Sequence, residues 1–119
     1  MKNLICLLLV SVTMLLSSCN SKTSAVIENA SPDGNVKIKV EGKRGLPLDP
    51  FKTEMSVKAY DFKEGKLMFE IMAGDLNSEN VKFTWEDNNN CVITIEESDK
   101  NVRSFKLIAD ENQVQLAEI

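Results

Sequence analysis

No histidine occurs anywhere in the 119 residues. That absence removes the side chain most often used as a general base near neutral pH. It also excludes a Cys–His or Ser–His nucleophile pair. A Ser–Lys arrangement would survive the loss, but the S-x-x-K spacing it uses occurs nowhere in the chain. Glycine is equally sparse. Its five occurrences form neither G-x-G-x-x-G nor a Walker loop, so no phosphate cradle of those kinds is encoded. Proline (three), tryptophan (one) and tyrosine (one) are few, and there is no low-complexity tract or internal repeat. Apolar runs are short as well. The longest, "LICLLLVSVTMLL" (Leu4–Leu16), has 13 apolar or neutral residues, against about 20 needed to span a bilayer as a helix.

What is present begins with that run. Lys2 supplies a positive start and "SSC" closes the segment with small residues, the three-part order of a secretory signal. A helix packed by one face onto the core of so small a domain would carry a polar stripe, and this run has none. The tetrapeptide that follows, Leu16-Ser17-Ser18-Cys19, resembles the lipobox of bacterial lipoproteins: an aliphatic residue, two small residues and a cysteine. The resemblance covers about the first 20 residues only; no family is recognised for the rest of the chain. It implies that Cys19 is the lipidation site, carrying a diacylglyceryl thioether, with cleavage before it and acylation of the new N-terminus. Two or three acyl chains anchor stably where one does so marginally. Asn20 is not the aspartate that the same resemblance associates with inner-membrane retention, so the expected location is the periplasmic side of the outer membrane in the cell envelope.

Cleavage changes the cysteine account. Cys6 is lost with the signal, Cys19 is consumed by lipid, and only Cys91 remains. One free thiol cannot build a disulfide framework, and one thiol without imidazole cannot complete a tetrahedral zinc site. Cys91 alternates with Ile93 and Ile95 in "NCVITIE", which predicts a buried thiol packing as a small hydrophobe. The expected organisation is a signal peptide over 1–18, a lipidated tether over 19–24 and a single β-domain over 25–119.

The mature region reads as strands. "NVKIKVE" places Val36, Ile38 and Val40 on one face; "EMSVKAY" places Met55, Val57 and Ala59; "KLMFEIMA" places Leu67, Phe69, Ile71 and Ala73. "NVKFTWE" aligns Val81, Phe83 and Trp85; "RSFKLIA" aligns Phe105, Leu107 and Ala109; "QVQLAEI" adds Val114 and Leu116, and "SAVIEN" gives a further short strand. Period-two alternation over such short runs marks half-buried strands. "KLMFEIMAGDL" also suits a helix by propensity, but Gly65 and Gly74, read as its flanks, leave only eight residues. "SPDGN" is a β-turn sequence; "DFKEGK", "EDNNN", "ESDKN" and "ADEN" read as hairpin joins, their asparagines tolerating left-handed geometry. "GKRGLPLDP", the longest irregular join, is expected to cross between sheets. The predicted fold is all-β, a small antiparallel β-sandwich or partly open barrel of seven or eight strands.

Candidates for chemistry are few. Glu96 and Glu97 are neighbours, and on a strand they point to opposite faces. Glu70 and Glu96 are the one pair that could act across strands as glycosidase carboxylates; solvated surface carboxylates are the simpler reading. "DLNSENVKFTWE" puts Asp75, Asn77, Glu79 and Glu86 at positions 1, 3, 5 and 12 of a calcium loop. Position 6 is Asn80 rather than glycine, position 8 is Lys82 rather than apolar, and the flanks read as strands, so the match is taken as coincidence. No catalytic, metal or cofactor site is assigned, and no cofactor is expected. Trp85 is read as core rather than binding platform, and the "EDNNN" and "ESDKN" loops are the expected contact surface.

Charge adds one more expectation. The chain from Cys19 onward carries 13 Lys and Arg against 18 Asp and Glu, a formal net charge of −5. Residues 20–66 hold nine basic and seven acidic residues, whereas 67–119 hold four and eleven. The first half could lean on anionic lipid, although folding is expected to intermix the halves. An acidic exported chain argues against a nucleic-acid partner.

These readings lead to a membrane-anchored, non-catalytic envelope lipoprotein, bound to the bilayer through acylated Cys19 and binding another envelope protein. An inhibitor or immunity-type protein directed at an envelope hydrolase, and a small carboxylate hydrolase, are the alternatives. Cys19→Ala should abolish metabolic labelling with palmitate and release the domain from membranes; a variant that stays labelled and membrane-bound overturns the anchor.

Overall fold

A computed structural model describes residues 24–60 and 63–119. The expected signal, Cys19 and the tether up to residue 23 lie outside the described residues. The chain is all-β. Strands β1 (Ser24–Ala30), β2 (Val36–Lys43), β3 (Phe51–Ala59) and β4 (Lys63–Ile71) form one sheet, and β5 (Val81–Trp85), β6 (Asn90–Glu96), β7 (Val102–Ala109) and β8 (Val114–Glu118) form a second. Both are antiparallel meanders, with orders β1-β2-β3-β4 and β5-β6-β7-β8. No strand pairing joins the two sheets among the described residues, so this is a sandwich and not a closed barrel.

The alternation in the sequence dictates which face goes inward. Val36, Ile38, Val40, Met55, Val57, Ala59 and Ile71 of the first sheet share one buried cluster with Val81, Cys91, Ile93, Ile95, Phe105, Leu107 and Ala109 of the second. Phe51 and Phe105 are the largest fully enclosed side chains. Burying each such side chain contributes about 1.5–3 kcal/mol, and a lone sheet would leave its apolar face wet.

Contacts between the layers fix their relative placement. Trp85 Nε1 donates to Asn29 Oδ1 at 2.7 Å, setting β5 beside β1. At the opposite edge a Cβ added at Gly65 of β4 would meet Val114 Cγ1 of β8 at 2.6 Å. Gly65 therefore lies inside a nine-residue strand rather than flanking it; its missing side chain admits β8. The Phe69 and Phe105 rings stack across the layers with centroids 4.5 Å apart.

The crossover is not where the irregular sequence pointed. "GKRGLPLDP" joins β2 to β3 within the first sheet. Asp49 N donates to Leu46 O at 3.0 Å and Leu46 N to Asp49 Oδ2 at 3.1 Å, so the prolines and glycines there shape a tight reversal. The chain changes sheet over residues 72–80 instead. That segment must cover three strand spacings and one layer, about 17 Å in a straight line, well within the reach of nine residues. Two devices hold it down. Leu76 plugs the end of the core, and Arg44, lying 4.2 Å over the Phe51 ring, donates to Ala73 O and Gly74 O at 2.9 and 2.7 Å.

Turns follow their residues in part. Ser31-Pro32-Asp33-Gly34 is a β-turn closed by Gly34 N to Ser31 O at 2.9 Å, with Gly34 at φ 79°. The join after β3 is shorter than "DFKEGK", because Lys63–Lys66 already belong to β4. Among the described residues, left-handed backbone outside glycine falls on Tyr60 and Lys100, not on asparagine.

Gly42 is the tightest point of the crossover packing. A Cβ there would stand 2.5 Å from Leu76 Cδ1 and 3.0 Å from Phe51 Cδ1. Gly42→Ala should cost about 1–3 kcal/mol by overpacking, measured as a fall in urea midpoint. Gly45→Ala, whose nearest contact would be an ordinary 3.7 Å, should not lower it.

Candidate functional site

Each hairpin reverses the chain, so successive joins alternate between two ends of the sandwich. The proximal end carries the start of β1 together with the β2–β3, β4–β5 and β6–β7 joins; the distal end carries the β1–β2, β3–β4, β5–β6 and β7–β8 joins. The "EDNNN" and "ESDKN" loops are consecutive joins of β6 and lie at opposite ends. They cannot form one contact surface, which corrects the sequence expectation.

Their polar groups are also largely committed. In the distal loop Asp87 accepts from Asn90 Nδ2 at 2.9 and 3.0 Å and from Asn89 N at 2.8 Å. These bonds, the Asn90 side chain foremost, hold its carboxyl below the usual range. Asn89 Nδ2 donates to Ala109 O at 2.6 Å and to Tyr60 Oη at 2.9 Å, tying the two sheets together. In the proximal loop Glu97 Oε2 accepts from Met72 N at 2.9 Å, and Ser98 N donates to Met72 O at 2.8 Å. Glu96 and Glu97 do point apart: Glu96 reaches Lys100 at 3.5 Å while Glu97 caps the crossover.

The proximal loops enclose a polar groove of about 330 Å³ lined by Asp75, Asn77, Asn80, Glu96 and Ser98 among others. Asn80 Nδ2 donates to Asp75 O at 2.8 Å and its Oδ1 accepts from Asn77 N at 2.9 Å; Asn77 Oδ1 accepts from Glu79 N at 2.8 Å. These are turn-forming bonds. The calcium-loop spacing dissolves in three dimensions, because Val81–Trp85 is a strand and carries Glu86 to the distal end. There Glu86 pairs with Lys106 at 3.7 Å. Among the described residues no group of three or more His, Cys, Asp or Glu is arranged to hold a metal.

Glu70 and Glu96 do not meet. Glu70 stands opposite Lys52 on the outer face of the first sheet, whereas Glu96 projects from the outer side of the second. Two carboxylates pointing away from each other across a sandwich cannot flank one glycosidic bond, which needs separations of about 5–10 Å.

The outer faces differ in kind. On the first sheet, strand register brings Lys43 opposite Lys52, Glu41 opposite Glu54 and Lys37 opposite Lys58. With Lys39, Lys66, Glu28, Glu64 and Glu70 the face is a dense charge lattice. Like charges directly across strands are unfavourable. Pairs along and diagonal to the strands relieve them: Lys43–Glu41 at 3.3 Å, Lys39–Glu41 at 3.4 Å and Lys66–Glu54 at 3.6 Å. The two lysines, Lys43 first, hold the Glu41 carboxyl below its ordinary range. On the second sheet the corresponding outward positions are Thr84, Asn90, Val92, Thr94, Val102, Ser104, Ile108, Gln115 and Ala117, with Lys82, Lys106 and Glu96 the only charges on that face of its strands.

Two functional-looking groups escaped the sequence reading. Arg103 and Glu118 both face inward by strand parity, and they form a bidentate pair at 2.9 and 2.8 Å. Arg103 also lies over the Phe69 and Phe105 rings and donates to Glu70 O in β4. The pair closes the proximal end of the β4–β8 edge, and Arg103 holds the Glu118 carboxyl below its ordinary range. Arg103 shares parity with Phe105 and Leu107, so the inward charge was readable from the alternation.

Comparison with protein-family models, with curated proteins and with solved structures returned no match.

Cys91 is fully buried in the core. Burial pushes its thiol up from about 9 to about 11. Below about pH 9 the thiol is protonated in both states. As pH rises from there towards 11, the unfolded chain gives up its proton while the folded chain keeps it, so stability present at neutral pH is lost across that window. The loss should be about 2–3 kcal/mol greater for the parent chain than for Cys91→Val, read from urea unfolding at pH 8 and pH 11. Equal losses would show that Cys91 is not the titrating group.

Proposed function

We propose that this chain is a membrane-anchored bacterial envelope lipoprotein whose β-domain is a non-catalytic module for binding another envelope protein. The lipobox-like Cys19 supplies the anchor, on the periplasmic side of the outer membrane.

The observation that carries the binding role is the contrast between the two outer faces. A face of threonine, serine, valine, isoleucine and alanine with few charges is cheap to desolvate, and depletion of charge is the compositional mark of protein interface cores. The charge lattice on the first sheet is the opposite case, since each ion would lose water on docking. The second sheet's outer face is therefore the docking surface. The carboxylates and amides that could have served catalysis are engaged in loop geometry or stand on opposite faces, which supports a binding rather than a catalytic role.

A photo-cross-linking residue placed at Thr94 or at Ile108 should give one discrete adduct in intact cells, and the same residue at Ser56 on the first sheet's outer face should give none. Val92→Asp should remove the adduct at Thr94 without shifting the melting temperature. Equal adducts from both faces, or an adduct only from Ser56, would overturn the assignment.

A further inference from the structure

The exposed apolar side chains of this domain are not scattered. Val26, Leu46, Leu48, Met68, Met72, Val102 and Ile119 are the exposed large hydrophobics among the described residues. All seven lie at the proximal end or in the half of the sheets nearest it. Leu48 is the most exposed of them, at 89%, and it shares the tip of the β2–β3 join with Leu46, at 65%.

The construction of that tip is specific. Leu46-Pro47-Leu48-Asp49 is a turn whose backbone is tied to itself: Leu46 O accepts from Asp49 N at 3.0 Å, and Asp49 Oδ2 accepts from Leu46 N at 3.1 Å. Pro47 has no N–H to satisfy. Unpaired backbone groups are what keep loops out of a bilayer, and this turn meets much of its demand internally while presenting leucine, proline and leucine outward. Behind it Lys43 and Lys52 face each other across strands on the exposed side of the first sheet. The Lys43 ammonium reaches Glu41 at 3.3 Å with its side chain 73% exposed, so a lipid phosphate can replace that partner when the turn dips into the interface.

The tether says what lies opposite. Ser24 opens β1 in register with Lys43, beside this turn. Cys19 is five residues earlier, a reach of at most about 18 Å. The acidic loops share this end but lead into the second sheet, with Asp75 and Glu79 on the crossover, Glu96 at the end of β6 and Asp99 on the β6–β7 join. An anionic surface repels that side and draws in the lysine-flanked one.

We infer that the Leu46–Asp49 turn inserts into the interface of an anionic lipid bilayer, with Lys43 and Lys52 on lipid phosphates, so that the domain stands proximal end down and tilted onto the first sheet. This rests on the reading of Cys19 as the lipid site.

The test uses the full chain, matured in a bacterial host and reconstituted into vesicles of phosphatidylethanolamine and phosphatidylglycerol at 7:3. Leu48→Cys and, at the distal end, Asn112→Cys are labelled with a thiol-reactive environment-sensitive dye. The parent chain should take up no dye, since Cys91 is buried and Cys19 acylated. Dye on Cys19 of the parent sinks the anchor reading, while the turn is still judged by the two labelled variants after the parent signal is subtracted. On vesicle-bound protein the Leu48→Cys dye should shift to the blue and lose most of its emission to an acyl-chain spin label, and the Asn112→Cys dye should do neither. The Lys43→Ala, Lys52→Ala pair should reduce the preference for these vesicles over neutral phosphatidylcholine by on the order of fivefold per lysine. If both dyes stay in water, or both enter the bilayer, or the lysine pair leaves the preference unchanged, the inference is overturned.

Discussion

Two four-stranded meanders, each apolar on one face, must cover each other, and among the described residues the chain passes between them only once. From that constraint the rest of the domain follows. The single crossover has to run across one end of the sandwich, and that end would be open without Leu76 as a plug and Arg44 holding the crossover carbonyls. Gly42 and Gly65 are the places where side chains of Leu76, Phe51 and Val114 come too close for a Cβ. Arg103 and Glu118 finish the β4–β8 edge with a bidentate pair where further apolar residues would have been half wet.

Polar chemistry in this molecule is accordingly consumed by architecture. The asparagines and carboxylates of the loops satisfy backbone groups at reversals, and among the described side chains none that is buried lacks a hydrogen-bond partner. A domain with its acids and amides so committed is suited to presenting surfaces. The surfaces it presents are unlike one another: a charge lattice on one broad face, a largely uncharged face on the other, and apolar side chains gathered toward the end where β1 begins.

Much of this was legible in the chain. All eight strands follow the alternation, and the inward sets around Val36, Met55, Cys91 and Phe105 are those the period-two pattern predicts. Cys91 is buried as expected, and Trp85 packs against the core while its indole N–H holds Asn29. The crossover was misplaced because proline and glycine report that a chain turns, not whether the next strand pairs with the last. "GKRGLPLDP" closes on itself through Asp49, whereas "MAGDLNSEN" changes layer and is held there by Arg44, which is distant in sequence. The two loops chosen as a contact surface follow consecutive hairpins, and antiparallel order alone places them at opposite ends. The expected intermixing of the charge halves also fails, since a single crossover keeps the first half of the chain in one sheet and the second half in the other.

By itself the sequence determined the all-β class, the strand faces, the absence of histidine-based chemistry and the lipobox-like segment that orients every functional reading. These are local properties, set by alternation, composition and the order of a few neighbouring residues. Only the tertiary structure decided which carboxylates stand apart, which lysines face one another, that Arg103 and Glu118 meet at the β4–β8 edge, and that the exposed leucines share an end with the start of the first strand. Those facts depend on register and layer order, which arise from pairings between residues far apart in the chain, and no local pattern encodes them.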